Sequence, residues 1–260
     1  MEIASRLKYI DAMRGLMMVL VVFGHQLFFN QDVWGERSVV TQIMADFRMP
    51  VFFFVSGYFV YRKSSDWTSS LVSQTMLRKF QAQVIGTFVF CSLYILLTQN
   101  DYSLYNIWCQ LDKYWFTACL FRLFCIYFFF SILFRRLRAR YLIAVLLAIS
   151  AIGIITNHVI PESRIYSIFV GHKSLYFLQF YTLGIIVKVV GIEKALSIVL
   201  TRKWAWISGV AFLFFATLYY FPTSIADFLD SHYFWNFVYK KELVRYLGLI
   251  AVFSVFYINR

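Results

Sequence analysis

The sequence predicts an all-α integral membrane protein, a polytopic bundle of about eight transmembrane helices with both termini in the cytoplasm. Three observations carry this reading. Hydrophobic residues make up 61% of the chain and aromatic residues 21%, where soluble domains are nearer half apolar. Thirty Phe stand against only three Pro, which fits long apolar helices better than a loop-rich secreted fold. Apolar runs also recur along the whole chain, and basic residues collect in alternate connections between them.

A helix needs about 20 mainly apolar residues to cross the hydrocarbon core. Runs of that kind fall at 12–30, 47–61, 80–98, 114–134, 141–157, 174–190, 204–221 and 243–258, the second, fifth and last being short. The first is expected to be a true span rather than a cleavable leader, because no small-residue cleavage site follows it and further spans do. In the second, Pro50 is expected in the first helical turn, where its missing N–H costs nothing. Ser56 and Gly57 would let another helix approach closely. The fourth opens on Tyr114 and Trp115, residues suited to the membrane interface. No repeat, low-complexity tract or soluble domain separates the spans, so residues 1–260 read as a single transmembrane domain.

Net charge is +12, and its distribution explains it. With the N-terminus inside, Arg6, Lys8, Arg62, Lys63, Arg78, Lys79 and the run "FRRLRAR" (134–140) all fall on the cytoplasmic side. Asp32, Glu36, Asp46, Asp101, Asp112 and Glu242 fall outside. Such asymmetry sets topology, so no nucleic-acid partner is expected. Cys91, Cys109, Cys119 and Cys125 form no C-x-x-C pair and read as small core residues. His158, His172 and His232 lie in outer loops or at span ends with no ligand spacing, and no metal is expected.

Against this background three ionisable groups stand out, because charge is costly at membrane depth. Arg14 and His25 are eleven residues apart in "DAMRGLMMVLVVFGHQL". At about 100° per residue that is three turns plus about 20°, so they share a face of the first helix, joined by Met18 and Val21 or Val22. They lie about 16 Å apart along the axis. The shared face reads as one polar path inward from the cytoplasm, with Asp11 as a neighbour of Arg14 at i,i+3 spacing. Arg122, in "YWFTACLFRLF", lies about 12 Å in from Tyr114, beyond snorkelling reach of water.

These segments together resemble the acyltransferase-3 family of bacterial membrane O-acyltransferases. The opening pattern is present as Arg6, Tyr9, Ile10, Asp11, Arg14, Gly15, Gly24 and His25, which includes the family's R/K-x10-H. "FRMPVFFFVSGYF" is similar to its M-P-x-F-F-F-x-S-G-Y signature, "YWFTACLFRLF" to its W-F-x-x-x-L, and "LYFLQFYTLGIIVK" to a later F-x-x-G segment. The four occur in family order. Relatives in the sugar acetylase branch often carry F-H-M-P where this chain has Phe47, Arg48, Met49 and Pro50.

The resemblance implies transfer of an acyl group, usually acetyl, from cytoplasmic acyl-CoA to a hydroxyl of an extracytoplasmic glycan or lipid-linked saccharide. It implies a multi-pass protein of a bacterial inner membrane, with acetyl-CoA as donor substrate and no tightly bound cofactor. His25 and Arg14 are then the expected catalytic residues, His25 as general base or as acyl acceptor. Arg14, Arg78 and Lys79 are expected to meet the phosphates of CoA. Asp11, Arg122, Arg48, Trp115 and Ser56 are expected on the substrate side, Arg48 at the outer face. Family members have about ten spans, so the chain is expected to be short at its C-terminus. Two other readings stay open from sequence: a transporter or flippase of a glycolipid or solute, and a truncated inactive relative. The topology has its own test. A fluorescent protein fused after Arg260 is expected to glow, and periplasmic alkaline phosphatase fused there to stay inactive; the reverse pattern would overturn the even number of crossings.

Overall fold

The computed structural model describes residues 8–29, 39–62, 67–98, 115–159, 172–191, 202–220 and 242–258. No strand occurs among the described residues, and each of the eight apolar runs carries a helix. In chain order these are α1 (Lys8–Phe29), α2 (Val39–Val60), α3 (Ser69–Phe80), α4 (Gly86–Thr98), α5 (Trp115–Leu133), α6 (Ala139–Val159), α7 (His172–Val190), α8 (Arg202–Tyr220) and α9 (Val244–Ile258). A π-helical turn, Gln81–Ile85, joins α3 to α4, so those two form the third span. Among the described residues five helices are long and apolar enough to cross a membrane: Gln42–Val60, Ser69–Leu97, Trp115–Leu133, Ala139–Thr156 and Lys173–Val190. Shorter apolar helices cover Trp206–Thr217 and Val244–Tyr257.

Two spans start eight or more residues earlier than their apolar runs. Helix α2 begins at Val39 rather than near residue 47, so Pro50 sits inside it and not in its first turn. The helix tolerates this because Pro already holds a helical φ. Its costs are a missing N–H, which leaves the Asp46 carbonyl without its i+4 donor, and a ring that crowds that same carbonyl. Helix α3 begins at Ser69, where the Thr68 Oγ1 accepts a hydrogen bond from the Leu71 N–H at 3.2 Å. That cap satisfies one of the open donors of the first turn. The polar first segment is thereby drawn into a rod of 29 residues, about 43 Å long.

The chain divides into two compact units, Met1–Phe59 with Val190–Arg260, and Val60–Val189. In the first unit α9 is the central helix. Near its start Gly248 faces Phe47 of α2 and Phe212 of α8, while Arg245 pairs with Asp46 of α2 at 3.8 Å. Near its end the Phe253 ring meets Phe54 of α2 edge-on at 5.3 Å and Tyr9 of α1 at 6.4 Å, and Tyr257 also meets Tyr9, at 6.0 Å. Helix α9 therefore runs parallel to α2 and antiparallel to α1. Phe212, Ala216 and Val244 form a buried cluster with α8 antiparallel to α9. Strict alternation across a bilayer requires this arrangement of the first, second, seventh and eighth spans.

The second unit follows the same parity. Helix α5 is antiparallel to the α3–α4 rod, with Phe80 against Phe121 at 5.8 Å and a Thr87–Thr117 hydroxyl hydrogen bond of 2.9 Å. It is parallel to α7, with Trp115 stacked on Phe177 at 5.6 Å and Phe124 edge-on to Tyr181 at 6.1 Å. Tyr127 fixes the segment after α2. Its hydroxyl accepts from the Arg62 N–H at 3.2 Å and from Trp67 Nε1 at 3.4 Å, and donates to the Arg62 carbonyl at 3.4 Å. Cys91 and Cys119 are buried and Cys125 is half-buried, all three as free thiols, as the sequence predicts; Cys109 lies outside the described residues.

Lipid tails are as apolar as Leu, so close packing and hydrogen bonds hold such helices together. Gly153 shows the first of these. A Cβ there would run into the Leu175 carbonyl, so α6 and α7 touch backbone to backbone. Gly209 of α8 faces open space. Gly153→Ala is expected to destabilise the protein by about 1–3 kcal/mol through overpacking. Gly209→Ala is expected to be neutral or stabilising by up to about 1 kcal/mol. Thermal unfolding in detergent measures both, and equal melting temperatures would refute the close α6–α7 contact.

Candidate active site

Helix α1 carries the opening motif and has two faces. Tyr9, Ile10, Met13 and Met17 are buried against its own unit. Arg14, Met18 and Val22 lie on the exposed face, Met18 at 48% and Val22 at 58%. The stripe expected to form an inward polar path is thus directed away from α9. Asp11 is half-buried. The backbone of His25 belongs to α1, four residues before its end; the His25 side chain lies outside the described residues.

The motif of α2 meets α1 just before His25. Arg48 donates from Nη1 to the Leu20 carbonyl at 2.9 Å. Its guanidinium occupies the volume that a Cβ on Gly24 would need. Gly24 is therefore a notch cut for this side chain, which accounts for glycine next to the histidine. The Arg48 Nε is buried and has no hydrogen-bond partner among the described residues. Arg48 is the tenth residue of α2, about 13 Å along the helix from Val39, and reaches across to α1.

Two residues earlier, and so on nearly the opposite side of α2, Asp46 is 12% exposed and its partner Arg245 21%. Half-buried Glu242 precedes α9 by two residues. These three groups were missed as candidates from the sequence, where Asp46 and Glu242 counted only as charges on the outer side. The available signal was topological. They stand at the starts of the second and eighth spans, which run in the same direction and so begin on the same side. Ser56, two turns beyond Arg48, is half-buried on α2.

The remaining predicted site residues belong to the second unit. Trp115 stacks on Phe177, with Lys173 Nζ 5.5 Å from its ring centroid, so its indole is occupied in packing α5 on α7. Arg122 is half-buried on α5, seven residues on and hence on nearly the same face. Arg78 and Lys79 differ in their surroundings. Arg78 is exposed, whereas Lys79 Nζ lies 4.4 Å from the centroid of Phe124, a cation–π contact.

What the first unit assembles is a cation with a free donor beside the turn that bears His25, with an ion pair to α9 two residues earlier on α2. The ion pair is open to test. Asp46→Lys is expected to place two cations together and destabilise the protein by about 3 kcal/mol, an uncompensated charge being the cause. Adding Arg245→Glu is expected to recover most of that loss. Melting temperatures of the single and double variants measure it, and strictly additive losses would refute the pairing.

Residues 7–259, nearly the whole chain, match the family model described as an acyltransferase domain. No curated protein and no solved structure matches the chain. With the match spanning every helix described above, the chain belongs to the acyltransferase-3 family.

Proposed function

We propose that this membrane acyltransferase moves an acetyl group from acetyl-CoA at the cytoplasmic face to a hydroxyl of a cell-surface carbohydrate. The observation that supports the reading best is the meeting of two family motifs in the first unit, Arg48 of the M-P segment seated in the notch directly before His25. Neither motif needs the other for folding a lone helix. Their contact makes sense as a shared site.

On this reading Arg14 receives the donor. It lies two turns into α1 on an exposed face that is otherwise apolar, with Met18, Val19 and Val22 beyond it. A cation followed by an apolar strip suits a donor with phosphates at one end and an uncharged arm at the other. His25, about 16 Å further along the same helix, stands where the thioester at the tip of that arm is delivered. There the imidazole takes the proton of the acceptor hydroxyl as general base, or takes the acyl group on nitrogen and passes it on. In both schemes a C–S bond breaks, a C–O bond forms, and the hydroxyl proton ends on the CoA thiol.

The test supplies acetyl-labelled acetyl-CoA to native membranes containing the wild-type protein or His25→Ala. Base-labile label in glycan is expected with wild type and is expected to fall at least about 100-fold in the variant, the scale of a lost general base. Equal label in both would exclude His25 as the catalytic group. Label in neither would exclude acetyl-CoA-dependent transfer to the glycans of those membranes.

A further inference from the structure

We propose that Arg48 is the electrostatic half of the reaction centre: one N–H anchors the guanidinium in the Gly24 notch, and another is held for the oxyanion formed when the acyl carbonyl is attacked. The inference rests on the acyl-transfer reading above.

The geometry has three parts. Nη1 is committed, 2.9 Å from the Leu20 carbonyl, which is also the helical acceptor for the Gly24 N–H. The notch at Gly24 sets the lateral position of the guanidinium, since any Cβ there would occupy the same space. Nε is buried and has no partner among the described residues. A buried donor left unbonded costs about 1–3 kcal/mol, more when charged. A site that keeps such a donor fixed is preorganised for an acceptor that is present only briefly.

A transient oxyanion meets that description. The acceptor oxygen bonds to the carbonyl carbon as its proton passes to His25. The C=O π pair moves onto oxygen, and Arg48 faces the resulting negative charge. Collapse restores C=O and breaks C–S, and the thiolate leaves with the proton that His25 holds. In the acyl-histidine scheme the imidazole nitrogen attacks first and the same oxyanion forms, so Arg48 serves either route. Fixed donors aimed at developing charge in a water-poor site often lower the barrier more than any other single effect.

The decisive variant is Gly24→Ala. It keeps both Arg48 and His25 but fills the notch, and what it strikes is the flexible end of a side chain, which can swing away without unfolding the helix. In the labelled acetyl-CoA assay on native membranes, Gly24→Ala and Arg48→Gln are each expected to lower kcat about 100-fold. KM for acetyl-CoA is expected to hold within about threefold, because the interaction exists only in the transition state. Arg48→Lys, which keeps charge and one donor, is expected to recover about tenfold over Arg48→Gln. Gly209→Ala is the control and is expected to match wild type. Wild-type kcat in Gly24→Ala, or equal rates for Arg48→Gln and Arg48→Lys, would overturn the role of Arg48 while leaving acyl transfer standing. No transfer by wild type overturns the acyl-transfer reading and this inference with it. If Gly24→Ala does not accumulate in membranes, the comparison of Arg48→Gln with Arg48→Lys decides alone.

Discussion

A guanidinium packed between apolar helices has few places to put its hydrogen bonds, and in this protein Arg48 has found the carbonyl of Leu20. Much of the first unit can be read from that contact. It needs α1 and α2 side by side and antiparallel, a residue without a side chain at position 24, and α2 extended far enough upstream to bring residue 48 to mid-helix. Pro50 comes two residues later, and the ion pair of Asp46 with Arg245 ties the same stretch of α2 to α9. Polar groups thus join three of the unit's four helices where lipid offers no competing hydrogen bonds.

The rest of the packing obeys the constraints of a membrane interior. Apolar area contributes little to helix association when the solvent is itself hydrocarbon. Contacts of other kinds take its place. Aromatic edges meet at Phe253 in the first unit and between α5 and α7 in the second, each such pair contributing about 0.5–1.5 kcal/mol. Hydroxyls bond across helices at Thr87 and Thr117. Tyr127 gathers three hydrogen bonds onto one oxygen, which secures the connection after α2 at both ends. The large exposed side chains on α4 and α8, such as Leu97 at 81% and Trp206 at 73%, are what a lipid-facing surface requires.

The π turn at Gln81–Ile85 has a place in the same logic. It joins a half-helix that is polar on average to one that is strongly apolar, inside one unbroken rod. The extra residue in a π turn rotates the downstream half of a helix relative to the upstream half. Lys79, just before it, thereby rests on Phe124, and Thr87, just after it, meets Thr117. Both contacts are to the same helix, α5.

Helix number and order were legible in the sequence, because length and apolarity alone decide what can cross a bilayer. So was the family, because four motifs stand in order along the chain. The boundaries of α2 and α3 were not. A helix continues through polar residues when caps and neighbours satisfy it, and hydropathy is blind to caps and neighbours. Periodicity placed Arg14 on one face with His25, but only packing decided that this face turns away from α9. Above all, the sequence could not say that Arg48 reaches the turn that bears His25. Its position next to Gly24 depends on two helices meeting at one height, and a linear pattern carries no information about the distance between spans.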